Sequence, residues 1–140
     1  MRIFLVRHGD AMGGLMDFGR GQISRTADFF KSLGLDASKT VLLTSQLPRA
    51  VETAEIIRQT LGLGEVLPKS WLRCGTSENT ATSLAQFAVD NADFTAVIAV
   101  SHMPEIENLL GKLGFNGAAG NGSVHEIEFQ SRTVARLFQP

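Results

Sequence analysis

The sequence predicts an α/β fold of three layers, αβα, around a central sheet that is largely parallel. Three observations carry this expectation. Short apolar runs recur that are continuous rather than alternating, the pattern of strands covered on both faces. Stretches with apolar residues three and four apart fall between them, as in helices laid on a sheet. Glycine or proline marks most of the junctions. Strands that alternate with helices pair in parallel and carry the helices on their faces.

The elements follow in order. Ile3-Phe4-Leu5-Val6, between Arg2 and Arg7, is the first strand. Ile23, Ala27 and Phe30 share one face of the first helix, and Gly34 stops it. Val41-Leu42-Leu43-Thr44 is the second strand. Leu47, Ala50, Ala54, Ile57 and Leu61 stripe the second helix, with Pro48 in its first turn and Gly62 at its end. Glu65 to Leu67 is a short strand, and Ala81, Leu84, Ala85 and Ala88 stripe a third helix. Ala96-Val97-Ile98-Ala99-Val100 is the next strand. Ile106, Leu109, Leu110 and Leu113 stripe a fourth helix between Pro104 and Gly114. Val124, Ile127, Phe129, Val134 and Leu137 fall in two stretches that read as a hairpin turning at Gln130-Ser131-Arg132.

Composition bounds what such a domain does. The chain has 140 residues, 44% hydrophobic and 19% charged, which predicts one globular domain over 1–140. There is no internal repeat and no low-complexity tract. A formal net charge of -1 argues against broad binding to nucleic acid or to an anionic membrane. The single cysteine, Cys74, excludes an internal disulfide framework and a cysteine-rich zinc site, and reads as a small packed hydrophobe. The apolar run at Ile3 to Val6 is too short for a signal segment or a membrane span. A cytoplasmic setting is the default expectation.

In open α/β sheets, ligands bind beyond the carboxyl ends of the strands. Three segments occupy that edge here. They are Arg7-His8-Gly9 after the first strand, Ser45 to Arg49 after the second, and Ser101-His102-Met103-Pro104 after Val100. Topology therefore converges two histidines and two arginines. That set, without a metal-binding cluster, suggests phosphate chemistry. Guanidinium groups match phosphate oxygens in pairs and stay charged. A neutral imidazole can attack phosphorus and become phosphorylated. Arg7 and Arg49 favour the neutral form of a neighbouring imidazole, and they stabilise charge on transferred oxygens. Pro48 and Pro104 begin helices whose N-terminal amides face the same edge.

These segments resemble a known family. Leu5-Val6-Arg7-His8-Gly9-Asp10-Ala11 resembles the opening motif of the histidine phosphatase superfamily, which has the phosphoglycerate mutase-like fold. Ser45-Gln46-Leu47-Pro48-Arg49-Ala50-Val51-Glu52-Thr53-Ala54 resembles its second motif, and Ser101-His102-Met103-Pro104 its third. The resemblance runs in order from residue 3 to about 110, each motif after a predicted strand. It implies that His8 is the phosphorylated nucleophile and that Arg7, Arg49 and His102 line a phosphate pocket. It implies no metal and no organic cofactor. Gly9, Met103 and Ser45 fall in the same motifs as candidate substrate contacts, although Ser45 reads first as a cap for the helix that follows. Within the superfamily the chain is similar to small SixA-type phosphohistidine phosphatases. It is short, Asp10-Ala11 follows the first motif, and Trp71-Leu72-Arg73-Cys74-Gly75 resembles a segment of that branch.

Between Arg49 and His102 lie 52 residues, positions 50 to 101. They hold two helices and a short strand, which leaves no room for the helical cap of larger members. An uncapped site admits a phosphoryl group borne on a protein. The chain departs from the family at Gly13 to Gln22, which lacks the usual Leu-Thr-x-x-Gly stretch. No acid is clearly placed to protonate a leaving group; Glu78 at the start of the third helix is the first candidate, with Asp10 and Glu105 as rivals. Asp10 is read equally as a turn cap or as an orienter of His8. His125 reads as a structural or surface histidine, and Gly117 to Gly122 as a mobile loop or part of the site rim.

The expected function is a phosphatase acting through a covalent phosphohistidine. Its partner would be a phosphorylated signalling protein such as a histidine phosphotransfer domain. The alternatives are a small-molecule phosphomonoesterase or mutase of the same superfamily, acting on a small phosphate ester, and a non-catalytic module that binds phosphorylated proteins.

Overall fold

The computed structural model describes residues 1–73, 75 and 77–140, with the backbone alone at Ser77 and Glu78. The reading of Cys74 as a packed hydrophobe lies outside the described residues. The chain runs β1 (Arg2–Arg7), β2 (Ala11–Met12), β3 (Gly14–Leu15), α1 (Asp17–Ser32), β4 (Thr40–Thr44), α2 (Pro48–Leu61), β5 (Val66–Pro68), α3 (Ser77–Asp90), β6 (Ala96–Ser101), α4 (Glu105–Lys112), β7 (Val124–Glu128) and β8 (Thr133–Phe138). Six strands form the central sheet in the order β5-β4-β6-β1-β7-β8. β1, β4, β5 and β6 pair in parallel, and the C-terminal hairpin adds antiparallel to β1. β2 and β3 pair as a separate small ribbon.

The continuous apolar runs are explained by two cores, one on each face of the sheet. Phe4 and Val6 of β1 point into the first core with Leu42, Ile98 and Val100, under Ile23, Ala27 and Phe30 of α1 and Ala50, Ala54 and Ile57 of α2. Ile3 and Leu5 point the opposite way with Leu43, Val97 and Ala99, under Leu84 of α3 and Ile106, Leu109 and Leu110 of α4. Phe4 meets Phe30 edge-on, with ring centroids 5.3 Å apart. Each such fully buried side chain contributes roughly 1.5–3 kcal/mol.

Two local features differ from the expectation. α1 begins at Asp17, well before the first residue of its predicted stripe. Gly19 and Gly21 are poor helix formers, and they hide these turns from periodicity. Ahead of them, Gly13 and Gly14 make the β2–β3 ribbon where the family motif is missing. Gly13 has φ +80°, a conformation glycine adopts readily. Between Leu61 and Ser77 the described residues form only β5 and one tight helical turn at Ser70–Leu72, so no helical cap is inserted there. No helix of the described residues is long and apolar enough to cross a membrane.

Candidate active site

β6 lies between β4 and β1, so the three segments singled out in the sequence emerge side by side. The register aligns Arg7 with Ser101 and Thr44 with Val100. The His8 amide donates to the Ser101 carbonyl at 3.3 Å, and the Ser45 amide to the Val100 carbonyl at 3.2 Å. The imidazoles of His8 and His102 face one another with ring centroids 5.1 Å apart.

The His8 loop is fixed from several sides. Nδ1 of His8 lies 2.7 Å from the Gly9 carbonyl. A carbonyl only accepts, so Nδ1 carries the proton and Nε2 presents a free lone pair. The Gly9 amide donates to Thr53 Oγ1 at 3.2 Å, and Thr53 Oγ1 donates to the Arg49 carbonyl at 2.8 Å. The Asp10 amide donates to Gln22 Oε1 at 2.8 Å. Gly9 packs directly on Gly19 of α1, where a β-carbon on either residue would collide with the other segment's backbone. From the C-terminal side, the Gly122 amide donates to the carbonyls of Arg7 at 2.9 Å and His8 at 3.2 Å.

Electrostatics keep both imidazoles neutral. Burial holds His8 below its usual range, and Arg49 and Arg7 push in the same direction; the Gly9 carbonyl and Asp10 oppose them. His102 is lowered to about 4, first by burial and then by His8 and Arg49. Its Nε2 is hydrogen-bonded to the Ser45 hydroxyl, which also accepts from the Leu47 amide at 3.3 Å just ahead of α2. Arg7 donates from Nη1 to the Ala119 carbonyl at 2.8 Å, while its Nε is buried with no partner among the described residues. Burial lowers the affinity of Arg7 for its proton, and Glu107 of α4 partly restores it.

The remaining candidates fall as follows. Met103 is half-buried and packs on the second core. Glu105 is fully buried, and its carboxylate accepts from the Gly75 amide at 3.1 Å. The side chain of Glu78 lies outside the described residues. The 117–122 loop does reach the site rim, through Ala119 and Gly122. Among the described residues no three of His, Cys, Asp or Glu form a metal-binding group.

Several supporting residues were not foreseen. Thr53 sits one helical turn after Arg49 inside the second motif, a spacing that could have marked it. Gly19 announces itself only as a glycine inside a helix, which commonly marks close packing. Glu107 and Ala119 leave no local signal.

His125 is wholly buried on β7 against Phe115, with both ring nitrogens unpartnered among the described residues. Burial, and then Arg136 across the hairpin, lowers it to about 4. The folded chain thus holds all three of its histidines below the usual value. An unfolded chain takes up those protons below about pH 6.5. Stability is therefore full above that pH and is lost as the pH falls from about 6.5 toward 4. His125→Leu removes one of the three uptakes and two buried unsatisfied nitrogens. Melting curves at pH 4 to 8 should show a higher midpoint for the variant at neutral pH and a shallower acid decline. Parallel curves would refute this account.

A family model, histidine phosphatase superfamily (branch 1), matches residues 3–73, half of the chain. A search of curated proteins finds no match. Among solved structures, the protein histidine phosphatase SixA, complexed with tungstate, superposes with a TM-score of 0.80 at 22% identity, covering 99% of this chain and 95% of that one. A phosphoserine phosphatase of Entamoeba histolytica, in complex with phosphoserine, gives 0.74 at 18%, covering 96% and 94%. A mycobacterial glucosyl-3-phosphoglycerate phosphatase, complexed with VO3, gives 0.72 at 18%, covering 91% and 92%. These likenesses show a phosphoglycerate mutase-like fold.

Proposed function

Because the chain belongs to the histidine phosphatase superfamily (branch 1), we propose that it is a phosphatase that works through a phosphorylated His8 and removes phosphate from phosphohistidine on a protein. The observation that carries this reading is the His8–His102 pair at 5.1 Å, with the His8 Nδ1 proton held by the Gly9 carbonyl. That tautomer leaves Nε2 as the nucleophile.

In the first step the Nε2 lone pair attacks phosphorus. The P–N bond to the substrate imidazole breaks, and the departing nitrogen keeps the electron pair and takes a proton. In the second step water attacks phospho-His8. The P–Nε2 bond breaks, its electron pair returns to the ring, and phosphate leaves. Arg7 and Arg49, which act on His8 as neighbouring cations, would offset charge on the moving oxygens, the largest contribution in comparable sites. The proton for the departing nitrogen is assigned to one of Asp10, Glu105 or Glu78. An imidazole leaves phosphorus more readily than an alkoxide does, so a weak acid suffices. The lack of an inserted cap among the described residues and the likeness to SixA support a protein-borne substrate.

The experiment pairs turnover with trapping. A histidine-phosphorylated protein and a panel of phosphate monoesters are compared as substrates, and the reaction is quenched in alkali to capture labelled phosphate on the chain. Faster turnover of the phosphohistidine protein, with an acid-labile label on His8, is expected. Faster turnover of esters would favour a small-molecule phosphatase, and label elsewhere would remove His8 from the mechanism.

A further inference from the structure

On the segments that follow the His8 and Arg49 motifs, four large apolar side chains stand in water. Met12, on the β2–β3 ribbon, is 82% exposed, Phe18 in the first turn of α1 66%, Met16 between them 43%, and Val51 in the first turn of α2 40%. Three of these four follow closely on His8 in the chain.

The ribbon that carries Met12 is held firmly. The Leu15 amide donates to Glu52 Oε2 at 3.2 Å, and Arg20 Nη2 donates to the same oxygen at 2.8 Å. The Met16 amide donates to the Asp10 carbonyl at 3.0 Å, and the Arg20 amide to the Met16 carbonyl at 2.9 Å. Glu52 thus clamps the ribbon to the helical turn that bears Val51. Large apolar side chains are thus presented to water on segments that Glu52 ties together, and exposed apolar side chains grouped in this way mark an interaction site.

The charge pattern selects the occupant. The centre is cationic, with Arg7 and Arg49 beside the histidines, and the flank is apolar. Its complement is anionic at one point and apolar around it. A small polar phosphate ester would fill the centre and leave the flank wet. A phosphorylated side chain standing on an apolar protein face would cover both.

We infer that Met12, Met16, Phe18 and Val51 form the docking surface for the apolar protein face that surrounds the phosphorylated histidine. This rests on the protein-substrate reading above. Methionine suits the task, because its flexible thioether adapts to more than one partner shape.

The test uses two substrates with the same P–N bond. One is free phosphohistidine. The other is a panel of helical phosphotransfer domains phosphorylated on histidine. The variant is Met12→Ser/Phe18→Ser, whose side chains stand in solvent, with unchanged melting as the control for folding. For the variant, KM on the best phosphodomain should rise about 10-fold or more, while kcat/KM on free phosphohistidine stays within about twofold. An equal change on both substrates, or none on the phosphodomain, overturns the docking surface. So does a wild-type dimer that the variant dissociates with kinetics unchanged, since a second copy would then be the occupant. If the wild type shows no preference for any phosphodomain over free phosphohistidine, the protein-substrate reading itself falls, and this surface with it.

Discussion

His8→Ala should lower turnover by about 10⁴-fold or more, because the variant has no atom to form the covalent intermediate. The effect should appear in kcat, with melting close to wild type, since His8 is only partly buried and its Nδ1 bonds its own neighbour. The arginines bound the comparison. Losing one charged donor to the transferred group costs on the order of 10²–10³ in rate. Arg49→Ala should therefore fall between the His8 variant and wild type. The two losses should not add, because both residues serve one transition state. Steady-state assays with a phosphohistidine substrate measure all of this. A His8→Ala enzyme that kept a tenth of its activity would mean that another group attacks phosphorus.

Gly19→Ala should have the largest effect on stability of any change this small. Within a helix, glycine to alanine normally stabilises by about 1 kcal/mol. At Gly19 the sign reverses. The added methyl would overlap the Asp10 carbonyl oxygen and lie 2.8 Å from the Asp10 amide nitrogen. From the other side, a β-carbon on Gly9 would lie 2.7 Å from the Gly19 carbonyl oxygen and 2.9 Å from Ile23 Cγ1. Backbone cannot rotate aside as a long side chain can, and overpacking of this kind costs roughly 1–3 kcal/mol or more. Gly21 in the same helix supplies the control. Its nearest neighbour would be Arg25 Nη1 at 4.0 Å, so Gly21→Ala should show the ordinary gain. Thermal melts of the two variants should move in opposite directions. Activity should fall only in Gly19→Ala, because Asp10 and Gly9 carry the His8 loop. Equal melts would show that the loop has room to shift.

The sheet was legible because its strands are buried on both faces. Ile3 to Val6 and Ala96 to Val100 could be uninterrupted apolar runs only there. The helices on the second face were equally plain, since Ile106, Leu109 and Leu110 repeat at helical spacing. The β2–β3 ribbon was not legible, because strands of two residues around Gly13 and Gly14 have no alternation to detect. The first turns of α1 were hidden by Gly19 and Gly21. At the site, the histidine and arginine positions followed from strand order and from the motif resemblance. The groups that hold them did not. Gln22, Glu52 and Ala119 meet the His8 loop, its ribbon and Arg7 only in three dimensions, so no periodicity marks them, and Thr53 was marked only by its spacing of one helical turn from Arg49. The sequence leaves His125 open between a structural and a surface place. A histidine in an edge hairpin gives no local sign that Leu5 lies beside it and Phe115 above.

One consequence concerns the order in which the molecule is made. β1 sits between β6 and β7, and the carbonyls of Arg7 and His8 are gripped by the amide of Gly122. β1 leaves the ribosome before β6 and β7 and thus waits for both of its partners. Until then its nascent edge is bare, and the His8 loop that follows it lacks the Gly122 amide that holds it. A chain interrupted before residue 122 would leave that edge unpaired and prone to sticking to its siblings.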